Sequence, residues 1–149
     1  MLLTPRQLEE ECFSRLCELV AGEQEVFLPS RPELVRVVRR AVVAVLEGWQ
    51  LPQLLEVGEL LAGELMANAV RHTGGRTVSV RLSRRPGWLR MEVRDSSRAL
   101  PCLVLAEPGG SEHGHGIKLV DALSERWGAD LLPRGKGVWL ELKIRERPA

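Results

Sequence analysis

The stretch Gly58-Glu59-Leu60-Leu61-Ala62-Gly63-Glu64-Leu65-Met66-Ala67-Asn68-Ala69-Val70 is apolar on nearly every side of a helix, which is typical of a helix buried inside a domain. Glu64 and Asn68 are four residues apart and therefore share one face. Because an unpaired buried carboxylate or amide is costly, both need partners or a polar cavity. Their oxygens suit a hard cation such as Mg²⁺ bound with phosphates, and hydrogen bonds to other side chains inside the fold account for the pair equally well.

The segments on either side of this helix carry their own start and stop signals. Thr4, Pro5 and Gln7 make a capping box with proline in the first turn. Residues 77–82 and 88–94 alternate with period two around a turn at residues 84–87, which predicts a hairpin. Helices are predicted over residues 5–20, 30–46, 53–71 and 116–127, and strands over residues 25–29, 77–82, 88–94 and 138–144.

This order of elements predicts an α/β fold, a two-layer sandwich in which one face of a single mixed, mostly antiparallel sheet is covered by helices. Residues 1–24 are predicted to form a helical extension, and residues 25–146 the main domain. A chain of 149 residues with 44% hydrophobic and 28% charged residues fits one globular domain.

Composition also bounds the location and the partners. A net charge of +1 gives no reason to expect direct nucleic-acid binding, no apolar run is long enough to span a membrane, and the first residues lack the pattern of a signal peptide. The expected location is therefore the cytoplasm. Cys12, Cys17 and Cys102 have no metal-like spacing and are interpreted as reduced thiols.

Two further segments contain residues that could bind a ligand. Asp95 directly follows an alternating strand, where its carboxylate would accept a hydrogen bond from an amino group such as that of adenine; capping a turn is the commoner role of such an aspartate. The segment His113-Gly114-His115-Gly116-Ile117-Lys118-Leu119-Val120 brings glycines to the start of a helix, whose free N–H groups suit a phosphate. The histidines lack the companion ligands of a zinc site.

Together these segments resemble the histidine-kinase-like ATPase superfamily with its Bergerat fold. Residues 64–72 resemble its N box, residues 94–101 occupy the place of its first glycine box, and residues 114–123 look like the second. The tail from Trp127-Gly128 through Gly135-Lys136-Gly137-Val138-Trp139 is similar to the ending of actinobacterial anti-sigma-factor kinases. The resemblance covers residues 29–144, without the phosphoacceptor helix pair of a full sensor kinase.

The resemblance implies ATP and Mg²⁺ as cofactors and assigns a role to each matching residue. Glu64 would be the catalytic residue that polarises the attacking hydroxyl or water, Asn68 would hold Mg²⁺ and phosphate oxygens, and Asp95 would bind adenine. The implied nucleotide contacts are Asn68, His72, Thr73, Asp95, Ser97, Gly114, His115, Gly116, Ile117, Lys118 and Leu119.

The implied function is that of an anti-sigma factor with serine kinase activity. Its partners would be a sigma factor and an antagonist protein, and a homodimer is expected because the family often dimerises. Two positions depart from the family pattern: Ser97 stands in place of a glycine, and Gly137 in place of a threonine expected at the adenine pocket. Both departures would weaken ATP binding, so a non-catalytic module that sequesters a partner is the alternative.

Overall fold

The computed structural model describes residues 2–22, 24–98 and 115–145. Its helices are α1 (Pro5–Cys17), α2 (Leu34–Gly48), α3 (Leu55–Thr73) and α4 (His115–Leu123). Its strands are β1 (Glu25–Pro29), β2 (Thr77–Arg85), β3 (Trp88–Asp95), β4 (Arg126–Leu132) and β5 (Gly135–Lys143). Helices and one sheet form the two-layer α/β sandwich that the sequence predicts.

The five described strands form one sheet in the order β1-β2-β3-β5-β4. Every neighbouring pair is antiparallel, so the described part of the sheet has no parallel component. The predicted hairpin joins β2 to β3 with Arg85 opposite Trp88. Its two-residue turn is therefore tighter than predicted, and Gly87 takes a positive φ of 83° there, a conformation that glycine adopts without a steric cost.

Alternation along the strands separates the two faces of the sheet. One face is apolar and buried, and its side chains share a single core with those of the helices. The long helix α3 contacts β2 and β3 on the sheet side and α2 and α4 within its own layer. The buried face of the central strands consists of Val78, Val80, Leu82, Leu89, Met91, Val93, Val138, Leu140 and Leu142.

The predicted N-terminal extension packs onto the rest of the fold. The capping box at Thr4 and Gln7 is present, and α1 contacts α2 and β1. Cys12 and Leu16 lie buried in the same core as the sheet. The thiols of Cys12 and Cys17 are free, and burial raises the pKa of both; Cys102 lies outside the described residues.

The sequence prediction is wrong over the last helix and the strand after it. Helix α4 ends at Leu123, where the Ser124 hydroxyl and N–H both donate to the Val120 carbonyl. Trp127, predicted to be helical, lies in β4 and pairs with Leu140 of β5. Strand β4 was not predicted because glycine, alanine and aspartate occupy its centre, and these residues have low β-propensity.

Candidate functional site

Helix α3 presents the first part of the candidate site. Asn68 is buried, with 3% of its surface exposed, and Glu64 is partly buried. The Asn68 side-chain oxygen receives no hydrogen bond from any described residue. Because buried polar atoms are nearly always satisfied, an acceptor in this state fits a site completed by a ligand.

The end of β3 supplies the second part. The Asp95 side chain is 1% exposed, and its Oδ1 accepts a hydrogen bond of 2.8 Å from the Ser97 backbone N–H. Its Oδ2 lies 3.2 Å from Lys136 Nζ, yet receives no hydrogen bond of good geometry from a described residue. The carboxylate is thus neutralised by a cation and still has acceptor capacity, as an adenine-binding aspartate requires.

Lys136 is a central residue of the site that the sequence analysis missed. It is the second residue of β5 and lies opposite Asp95. Its side chain is 0% exposed, and its ammonium lies 2.7 Å from Nδ1 of His72. Lys136 stands in phase with Val138, Leu140 and Leu142, so the alternation that directs those residues inward is the signal that places Lys136 inward as well. We call Lys136 and Asp95 the buried ion pair.

His72 connects the end of α3 to this pair. Burial of the ring lowers the pKa of His72, and the neighbouring Lys136 cation lowers it further. The imidazole is therefore neutral at pH 7, and its Nδ1 accepts a hydrogen bond from the ammonium. His72 as a whole is exposed, so its ring is only partly shielded from solvent.

Thr73 lies at the end of α3, whereas Gly137 lies in β5 on the side of Glu92. The Thr73 hydroxyl is buried, donates to the Ala69 carbonyl at 2.7 Å and lies 3.3 Å from the Ser30 hydroxyl, so it closes the end of α3. A nucleotide contact by Thr73 stays a prediction. The expectation that Gly137 lies at the adenine pocket is wrong: a Cβ at Gly137 would meet Glu92 on the opposite face of the sheet.

The predicted phosphate-binding segment, residues 114–119, is described only in part. Gly114 lies outside the described residues, and His115 and Gly116 begin α4. Ile117 is buried in the core, and Leu119 packs against it, so these two residues can offer a ligand only their backbone. Lys118 is partly exposed. The first N–H groups of α4 lack partners within the helix, which makes this end of α4 suitable for a phosphate.

The side chains around Asn68 fit a Mg²⁺ ion only if a nucleotide supplies further ligands. Among the described residues, no group of three or more His, Cys, Asp or Glu side chains is placed to hold a metal ion. A Mg²⁺ ion at Asn68 would therefore take most of its oxygen ligands from phosphates and water, as Mg²⁺ commonly does in proteins.

The fold and its buried polar groups define a class of protein: an α/β sandwich in which Asn68, Asp95 and Lys136 lie between the helix layer and one end of the sheet. The model of the histidine kinase-like ATPase domain matches residues 28–143, and the chain belongs to this family. Domains of this family bind ATP, typically with Mg²⁺. A search of curated proteins returned no match. No described helix combines the length and hydropathy of a membrane span.

Proposed function

We propose that this protein is an ATP-binding anti-sigma factor with serine kinase activity. In this account it acts in the cytoplasm, holds a sigma factor, and phosphorylates an antagonist protein on serine. The observation that carries the proposal is the buried Asn68 oxygen, which has no described hydrogen-bond partner and lies one helical turn from Glu64 in a domain of an ATP-binding family.

Each described group has one task in the transfer. Asn68 would hold Mg²⁺ and the phosphate oxygens, the backbone at the start of α4 would bind the phosphates, and Asp95 would hold the base. The seryl oxygen of the antagonist forms a bond to the γ-phosphorus while the bond to the ADP oxygen breaks. Glu64 accepts the proton that the serine releases. Phosphoryl transfer depends mainly on positioning and charge neutralisation. The protein groups named here supply the positioning, and a Mg²⁺ ion held at Asn68 would supply neutralising charge.

The test measures transfer of radiolabelled phosphate from ATP to candidate antagonist proteins from the same genome neighbourhood. Glu64→Gln should lower the rate about 10²- to 10⁴-fold and leave nucleotide affinity nearly unchanged, because the amide keeps the shape. Glu59→Gln is the matched control: Glu59 lies on the same helix but pairs with Arg39 at 3.6 Å. Transfer by Glu64→Gln at the wild-type rate would remove the catalytic role of Glu64.

A second candidate function is a sequestering module that binds its partner without turnover. The observation that favours it is that Asp95 Oδ1 accepts a hydrogen bond from the Ser97 N–H and Oδ2 lies 3.2 Å from Lys136 Nζ, so a base would have to share the carboxylate with these partners. A wild-type protein that binds a sigma factor and never phosphorylates its cognate antagonist would establish this function instead.

A further inference from the structure

The buried ion pair places an unusual donor at the proposed base site. Lysine is seldom fully buried unless it is paired, and Lys136 is 0% exposed. Its ammonium has three N–H donors. One is directed at His72, and the nearest carboxylate oxygen, Oδ2 of Asp95, lies at 3.2 Å without the geometry of a hydrogen bond. Donor capacity is therefore available beside the carboxylate.

A donor and an acceptor held side by side match one kind of base edge. Adenine presents its exocyclic amine, a donor, next to ring nitrogen N1, an acceptor. Guanine presents a carbonyl oxygen and a protonated N1 at the same two positions, so it mismatches both groups. A carboxylate alone can recognise only the amine, whereas the buried ion pair can recognise both atoms of the adenine edge.

We propose that Lys136 is a specificity-determining residue of this site, donating a hydrogen bond to N1 of adenine while Asp95 accepts one from the exocyclic amine. The proposal rests on the proposed function, because it requires a nucleotide base at Asp95. It assigns a direct part in choosing the nucleotide to Lys136, a residue in the tail segment to which the resemblance gives no role.

Entry of the base requires the site to open. The two side chains of the pair are 0% and 1% exposed, so neither reaches solvent in the structure. His72 is the described neighbour best placed to move, since it is exposed and its ring is joined to Lys136 by a hydrogen bond. Movement of this one side chain would uncover the ammonium, which has N–H donors beyond the one directed at His72.

The experiment compares ATP with 1-deaza-ATP, in which a C–H group replaces N1 and the proposed acceptor is removed. Calorimetric titration with Mg²⁺ should show the wild type binding ATP about 10- to 150-fold more tightly than 1-deaza-ATP, since a hydrogen bond to a charged donor is removed. Lys136→Met should bind the two nucleotides with nearly equal affinity. Lys143→Met, an exposed lysine on the same strand, should keep the wild-type ratio.

The outcomes separate this inference from the proposed function. A wild type that binds neither nucleotide contradicts the proposed function itself. A wild type that binds ATP and 1-deaza-ATP equally overturns the role of Lys136, and this comparison needs no variant to fold. A Lys136→Met protein that weakens both nucleotides by the same factor and keeps their ratio assigns Lys136 a structural role only, and also overturns the proposal.

Discussion

Removal of Lys136 tests the energetics of the buried ion pair. In Lys136→Met, a side chain of similar length replaces the ammonium, and the Asp95 carboxylate, 1% exposed, loses its cation. Leaving one partner of a buried pair uncompensated costs about 3–5 kcal/mol. For a domain of this size, that corresponds to a fall in Tm of about 6–20 °C.

Urea denaturation of four proteins measures this cost: the wild type, Lys136→Met, Asp95→Asn and the double variant. Each single variant should be strongly destabilised. The double variant should recover most of the loss, because no unpaired buried charge remains, and the cycle reports the coupling of the pair. Lys143→Met should stay within about 0.5 kcal/mol of the wild type. A Lys136→Met protein as stable as Lys143→Met would refute this reasoning.

Two further predictions concern the residues around the pair. Gly135→Ala should destabilise the domain more than Gly75→Ala, as measured by urea midpoints, because both glycines have positive φ but only a Cβ at Gly135 overlaps the Asp95 carbonyl; equal losses would contradict this contact. Stability should fall as the pH drops below the ordinary pKa of histidine, because the lowered pKa of His72 lets the unfolded chain take up the proton first. His72→Gln should flatten this part of the curve of stability against pH. Arg71 and the buried ion pair also influence this range. A curve unchanged by the substitution would exclude His72 as its source.

The parts of the fold that the sequence predicts are those with strong local signals. Buried helix α3 is evident from its apolar composition, and hairpin β2–β3 from strict alternation. Strand β4 gave no such signal, because residues around Gly128 have weak β-propensity and the strand is fixed by its pairing with β5. The structure of this segment is therefore set by its tertiary contacts, which cannot be read from a single sequence.

The sequence also identified some residues of the candidate site and missed another. Asn68 and Asp95 stand out as polar residues at the border of apolar segments, and both prove to be buried with an acceptor that no described residue satisfies. Lys136 was missed because it follows a turn between two glycines, where a lysine is ordinarily solvated. Gly137 was expected at the adenine pocket, but it follows Lys136 by one residue along β5, and one residue of register exchanges the two faces of the sheet.

Calorimetric titration of the wild type with a non-hydrolysable ATP analogue, with and without Mg²⁺, tests the central claim most directly. The account predicts saturable binding that is stronger with Mg²⁺, and loss of the Mg²⁺ dependence in Asn68→Ala, because the buried amide oxygen is the proposed protein ligand. Absence of binding by the wild type at millimolar nucleotide and saturating Mg²⁺ would contradict the account.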